Sequence, residues 1–264
     1  MTALRPSALA GALVLAGALA LAAGCTGGPP PGPQGDPDAL ATLAAARAAH
    51  GSDALEGRTV SFRFRGTPYT AWHRGGQFRY ARTLDEGGRR VVETLDNDGP
   101  ARTVDGEPAA LTPDVGAALA ESINSVVYFA LLPHALDAPA LRARSLAPDT
   151  VGGAPYRRVE VTFAQEGGGA DWQDRYVYWV GEADTIDYLA YSYAVAPGDT
   201  ARAATGSRFR EVIGAAEVAG VRFQDYRNLT ADSVGTEIER YGALLDQGRT
   251  FTVSEVRTEA PAIE

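Results

Sequence analysis

The sequence has few of the residues that cross-link, coordinate or catalyse. Its 264 residues include one cysteine, Cys25, one methionine, three histidines and no lysine. One cysteine excludes an internal disulfide framework, so stability must come from a buried core. It equally excludes C-x-x-C redox and zinc motifs. G-x-S-x-G, the P-loop and a Rossmann glycine pattern after a strand are also missing, so no reaction is written in a motif and no cofactor is expected. All 24 basic residues are arginine, set against 33 acidic ones. The net charge of −9 repels phosphate backbones, so nucleic acid is not an expected partner. Long apolar runs are scarce too, the only one being Ala8 to Ala23.

That run is rich in alanine and shorter than the ~20 strongly apolar residues of a membrane-spanning helix. It follows a short start carrying Arg5 and precedes "TGGPPPGPQGDP". Residues 1–24 therefore read as a secretory signal peptide. "LAAGC", Leu21 to Cys25, resembles the lipobox of bacterial lipoproteins, with Ala22 where that family favours leucine. The resemblance implies cleavage before Cys25 and a diacylglyceryl group on its thiol, with palmitate among the chains of the anchor. Each buried CH₂ contributes ~0.8 kcal/mol, so two or three chains hold a protein on a membrane. Thr26 stands where an inner-membrane retention signal would place aspartate. The expected address is the cell envelope, at the outer membrane facing the periplasm rather than at the inner one.

Residues 25–37 complete an anchor and a Pro/Gly-rich tether of extended geometry. A single domain is expected over 38–257, with a flexible tail at 258–264. Asp36-Pro37-Asp38 supplies an N-cap, a first-turn proline and an acid, and Leu40, Leu43, Ala44, Arg47 and Ala48 follow at helical spacing. His50 suits the helix C-terminus, near the negative end of the dipole. The period then becomes two. Val60, Phe62 and Phe64 alternate with polar neighbours, as do Val159, Val161 and Phe163. Less regular runs at 71–72, 77–84, 89–95, 101–104, 174–180, 187–193, 209–213, 221–226 and 251–256, punctuated by turns such as Gly75-Gly76 and Gly152-Gly153, read as an antiparallel sheet of hairpins.

One clear helix interrupts them. Thr112-Pro113-Asp114 opens it, Val115, Leu119, Ile123, Val126, Val127 and Ala130 form its apolar stripe, and Pro133 ends it. Tyr176 to Val180 and Asp187 to Val195 are apolar on both faces, which requires cover on each side of the sheet by helices or a ligand. The fold class is α+β, mainly β: a strongly curved antiparallel sheet forming an open half-barrel around one or two helices.

"FRYARTL", "ARTVDGEPAAL", "VGGAPYRRVEVTF", "RYVYWVGEADTIDYLAYSY" and "EVAGVRFQDYRN", in this order around the central helix, resemble bacterial envelope lipoproteins of the LolA/LolB-like half-barrel type. The resemblance implies a cavity between sheet and helix that takes acyl chains of lipids or lipoproteins, and no catalysis. It places this chain with the anchored, receptor-like members.

The residues expected to line such a cavity are Trp72, Phe78, Tyr80, Ile123, Val127, Tyr178, Trp179, Leu189 and Tyr191, because aromatic and aliphatic walls are common in ligand sites. For any one of them, ordinary core packing is the simpler reading. His50, His73 and His134 show no metal-ligand spacing, and "TLDNDG" at Thr94 to Gly99 is better explained as a hairpin than as a calcium loop. Paired acids at Asp85-Glu86 read as a solvated turn, and Asp171 to Asp174 as a strand entry. The expected function is a membrane-anchored, non-enzymatic, monomeric lipoprotein binding a hydrophobic ligand. The alternatives are an envelope scaffold with a filled core, which docks through its acidic surface, and a hydrolase whose acids or histidines are gathered by folding.

Overall fold

A computed structural model describes residues 32–166, 172–194, 205–232, 234–235 and 237–264. The signal segment, Cys25, most of the tether and Asp171 lie outside the described residues.

In chain order the elements are β1 (Gln34–Gly35), α1 (Pro37–Ala49), β2 (Thr59–Phe64), β3 (Thr67–Arg74), β4 (Gln77–Glu86), β5 (Arg89–Asp96), β6 (Gly99–Val104), β7 (Glu107–Ala109) and α2 (Pro113–Ala130). They continue with β8 (Leu141–Val151), β9 (Ala154–Phe163), β10 (Arg175–Val180), β11 (Ile186–Ala194), β12 (Thr205–Val218), β13 (Val221–Ala231), α3 (Tyr241–Asp246), β14 (Thr250–Val256) and β15 (Glu259–Ile263). One sheet has the order β15-β2-β3-β4-β5-β6-β7 and the other β1-β8-β9-β10-β11-β12-β13-β14. Pairing is antiparallel except between β1 and β8. Neither sheet closes, so the architecture is an open α+β half-barrel.

Short hairpins build both sheets, as the spaced turn signals require. Between β8 and β9, Gly152 and Gly153 have φ of 59° and 81°, the left-handed pair that a type I′ turn needs. The longest excursion is α2, which links the two sheets. Thr112 caps it by accepting the Val115 N–H at 3.4 Å, and Pro113 fills the first turn, where its missing N–H costs nothing.

Three apolar clusters hold the layers together. On one face of the larger sheet, Ala39, Leu43 and Ala46 of α1 and Phe129 of α2 pack on Val159, Val161, Tyr178, Leu189 and Tyr226. On its other face, Val234, Ile238, Tyr241 and Leu244 cover Val177, Trp179, Ala190 and Phe209. Protein therefore covers both apolar faces of β10 and β11, and the second cover is a turn of 3₁₀-helix followed by α3. The third cluster joins Leu119, Ile123 and Val127 of α2 to Val60, Phe62, Tyr69, Ala71 and Leu95.

Several expectations need correction. Residues 259–263 are not a flexible tail: β15 pairs antiparallel with β2, and Thr59 and Glu264 exchange two backbone hydrogen bonds. The tether ends earlier than expected, because Gln34 and Gly35 pair with Arg142 and Ala143. Asp36 leaves α1 uncapped, and its carboxylate instead accepts the Ser145 N–H at 2.9 Å. Val115 faces solvent at 47% exposure, while Gly116 and Phe129 take places on the buried side of α2.

Candidate functional site

The two sheets approach each other where the C-terminal half of α2 meets β2 on one side and β12 to β14 on the other. Alternation in β2 turns Phe62 and Phe64 inward, and helical spacing presents Ser125, Val126, Phe129 and Ala130 toward them. Arg210 of β12, Tyr226 of β13, Val256 of β14 and Thr258, in the crossing between the sheets, complete the lining of a cleft. Its volume is about 60 Å³. One water takes ~30 Å³ of liquid, and pockets for drug-sized ligands run to ~300–1,000 Å³. The cleft thus has room for a small polar group and not for a hydrocarbon chain.

Its single charge is Arg210, only 7% exposed. The side chain lies on the same face as Leu189, its partner in β11. Its guanidinium stacks over Phe129 at 3.5 Å from the ring centroid, with Tyr191 at 5.5 Å and Tyr226 at 5.8 Å. Nη2 donates to the Tyr191 hydroxyl at 3.4 Å. Nε and Nη1 are buried without a hydrogen-bond partner among the described residues. On the next strand its register partner Asn228 also keeps a buried side-chain oxygen without a partner among the described residues. A buried cation without a counter-charge costs several kcal/mol, and cation–π contact returns ~2 kcal/mol. The aromatic cage therefore offsets only part of the penalty.

Tyr226 is held as a neutral donor. Burial raises its hydroxyl pKa, against the pull of Arg210 and Arg222, and it donates to Gln224 Oε1 at 3.0 Å. Gln224 in turn donates to the Ile186 carbonyl at 3.1 Å. This side of the cleft is therefore fixed by a satisfied polar chain, whereas Arg210 is not.

None of the nine expected lining residues borders the cleft. Ile123 and Val127 are buried with the smaller sheet, and Phe78 and Tyr80 pack against them. Tyr178 and Leu189 are buried under α1 and the end of α2, and Tyr191 packs on that cluster. Tyr191 reaches the cleft through its hydroxyl contact with Arg210. Trp179 lies on the far face of the larger sheet, where its indole N–H donates to Asp149 at 2.9 Å. Trp72 is half-buried in β3, alternating with Tyr69 and Ala71, and joins none of the three clusters.

The histidines, far apart in sequence, partly converge. The rings of His73 and His134 stand 4.5 Å apart, and His73 Nε2 shares a hydrogen bond with the Tyr80 hydroxyl at 2.7 Å. Burial, then the neighbouring imidazole, lowers His73 to about 4. Burial, then Arg47, lowers His134. His134 Nδ1 lies 3.3 Å from the Ser52 carbonyl, and His50 Nε2 accepts a backbone N–H. Among the described residues none of the three imidazoles hydrogen-bonds a carboxylate, and no group of three or more metal-ligating side chains forms.

No curated protein matches this chain. Among solved structures, a DUF1329 family protein from Desulfovibrio piger is similar at 12% identity, over 85% of this chain and 92% of that one, with a TM-score of 0.45. A "putative outer membrane lipoprotein-sorting protein domain" from Vibrio parahaemolyticus follows at 10% identity, over 84% and 93%, with a TM-score of 0.42. The Mycobacterium tuberculosis lipoprotein LppX aligns at 9% identity, over 64% and 92%, with a TM-score of 0.25. Residues 74–258 match the model of a family of unknown function, DUF6503, and the chain belongs to that family.

Proposed function

We propose that this chain is a membrane-anchored envelope lipoprotein, attached through Cys25, whose half-barrel binds a hydrophobic ligand without catalysis. The supporting observation is the cleft between α2 and the two sheets, whose walls Phe62, Phe64, Val126, Phe129, Ala130 and Val256 are apolar. Such a wall with few polar groups suits a lipid-like molecule, in keeping with the LolA/LolB-like resemblance of the sequence phrases. At about 60 Å³ the cleft takes the end of such a ligand, and seating an acyl chain requires α2 and β14 to part. The test is native mass spectrometry of gently purified Cys25→Ser protein, together with uptake of a fluorescent fatty acid. Co-purified lipid or saturable uptake supports the reading, and the absence of both overturns it.

The small cavity favours one other reading, an envelope scaffold with a filled core. Crosslinking in intact cells separates the two. A scaffold gives one dominant protein adduct, while a ligand carrier gives lipid adducts at the cleft.

A further inference from the structure

We propose that the ligand carries an oxyanion head, a carboxylate or a phosphate, and that Arg210 is the residue that receives it. The inference rests on the ligand-binding reading above and adds the chemistry of the recognised group. Arg210 is more than nine-tenths buried, lines the cleft and retains N–H groups on Nε and Nη1 with no acceptor among the described residues. Phe129 and the two tyrosines cover the guanidinium without supplying negative charge. The guanidinium is the one charged group in the cleft lining. Oxyanions match the planar donor set of arginine better than any neutral polar group does.

Size points the same way. A space of about 60 Å³ accepts a head group as it stands, and the tail enters only as α2 and β14 part. The Asn228 oxygen, the third buried polar atom at this register without a partner among the described residues, would accept a hydrogen bond from a protonated phosphate or a water held beside it. The ligand class is an anionic amphiphile, its head at Arg210 and its tail against Phe62, Phe64 and Val256.

Full-length Cys25→Ser protein is titrated calorimetrically with dodecanoate, dodecyl phosphate and dodecanol, each below its aggregation concentration. At least one anion should bind about tenfold or more tightly than dodecanol, the scale of a charge-assisted hydrogen bond. Preference for the carboxylate or for the phosphate identifies the source of the head group, and either result supports the proposal. Arg210→Met, which keeps the apolar stem, should reduce that ratio to about one. Equal binding of anions and alcohol by the unmodified cleft overturns the head-group assignment and leaves hydrophobic binding standing. No binding of any of the three overturns both. A preference that survives in Arg210→Met overturns the role of Arg210. The anion-to-alcohol comparison needs no variant, and the Arg210 Nε–H resonance in the unmodified cleft gives a second readout. It should shift on titration with dodecanoate or dodecyl phosphate, and an unmoved signal at saturation overturns the proposal.

Discussion

Acid should unfold this protein through His50. The residue ends α1 at 1% exposure, and its Nε2 accepts the Ile186 N–H at 3.2 Å. An imidazole that accepts at Nε2 carries its proton on Nδ1, which here has no partner among the described residues. A second proton on Nε2 would set a donor against a donor and bury a charge beside Arg222. Burial first, then Arg222, lowers the pKa from 6.5 to about 4. Because the folded value is the lower one, the unfolded chain takes up the extra proton first as pH falls. The contribution of His50 is complete above pH 6.5 and is lost progressively toward pH 4. At 1.36 kcal/mol per pKa unit, the whole window is worth about 3 kcal/mol. His73 falls over the same window, so the pH dependence of the wild type alone does not identify His50. The discriminating variant is His50→Gln, whose amide oxygen can still accept the Ile186 N–H but does not titrate. Urea midpoints measured at half-unit steps across the window should fall less steeply in this variant, by up to about one proton's worth of slope. Equal slopes in the two proteins would refute the reasoning.

The remaining predictions probe the frame around the cleft. Gly51 has φ of 69°, and a Cβ there would lie 1.8 Å from the Gly220 carbonyl oxygen. Gly51→Ala should therefore lower stability by about 3 kcal/mol or more, read from denaturant unfolding. Glu93 is 5% exposed and pairs with Arg82 at 2.6 Å and Arg102 at 3.3 Å. Glu93→Ala leaves Arg82 without its carboxylate and Arg102 with Glu86 alone, and should cost about 3–5 kcal/mol, whereas Glu237→Ala, breaking the half-exposed pair with Arg240, should cost less than about 1 kcal/mol. Truncation after Thr258 removes β15 and exposes the outer edge of β2. Hydrogen exchange should then rise at Thr59, Ser61 and Arg63 and stay unchanged in β10.

The outline of the fold was legible because most strands carry their own signal. Phe62 and Phe64 alternate with serine and arginine, and Val159 and Val161 with charged neighbours. The two-faced run Tyr176 to Val180 announced cover on both sides, but not what supplies it. The second cover is short: α3 spans only Tyr241–Asp246, too few residues to establish a helical period. β8 escaped because Leu141–Val151 alternates only as far as Arg144 and its register shifts between Leu146 and Asp149. The cleft was harder still. Phe129 sits beside the expected stripe of α2, and "RFR" at Arg208 to Arg210 reads as an ordinary strand with arginines facing water. Only the pairing of β12 with β11 and β13 puts Arg210 among three aromatic rings. His73 and His134 meet by the same kind of long-range placement, which no local spacing encodes.

The overall charge of −9 and the lone cation in the cleft act on an anionic ligand at different ranges, and their balance decides how salt affects binding. Charges on the solvated surface are screened beyond ~8 Å at physiological ionic strength, while a desolvated contact is screened far less. Added salt therefore weakens the repulsion that slows approach of an anion and leaves the guanidinium contact largely intact. Binding of an anionic amphiphile by this cleft should hold steady or tighten as salt rises, chiefly through faster association. An adventitious surface arginine behaves oppositely, losing its anion as salt rises. Stopped-flow association rates for dodecanoate at low and at physiological ionic strength distinguish the two, and a steep loss of affinity with salt would place the anion on the surface instead of at Arg210.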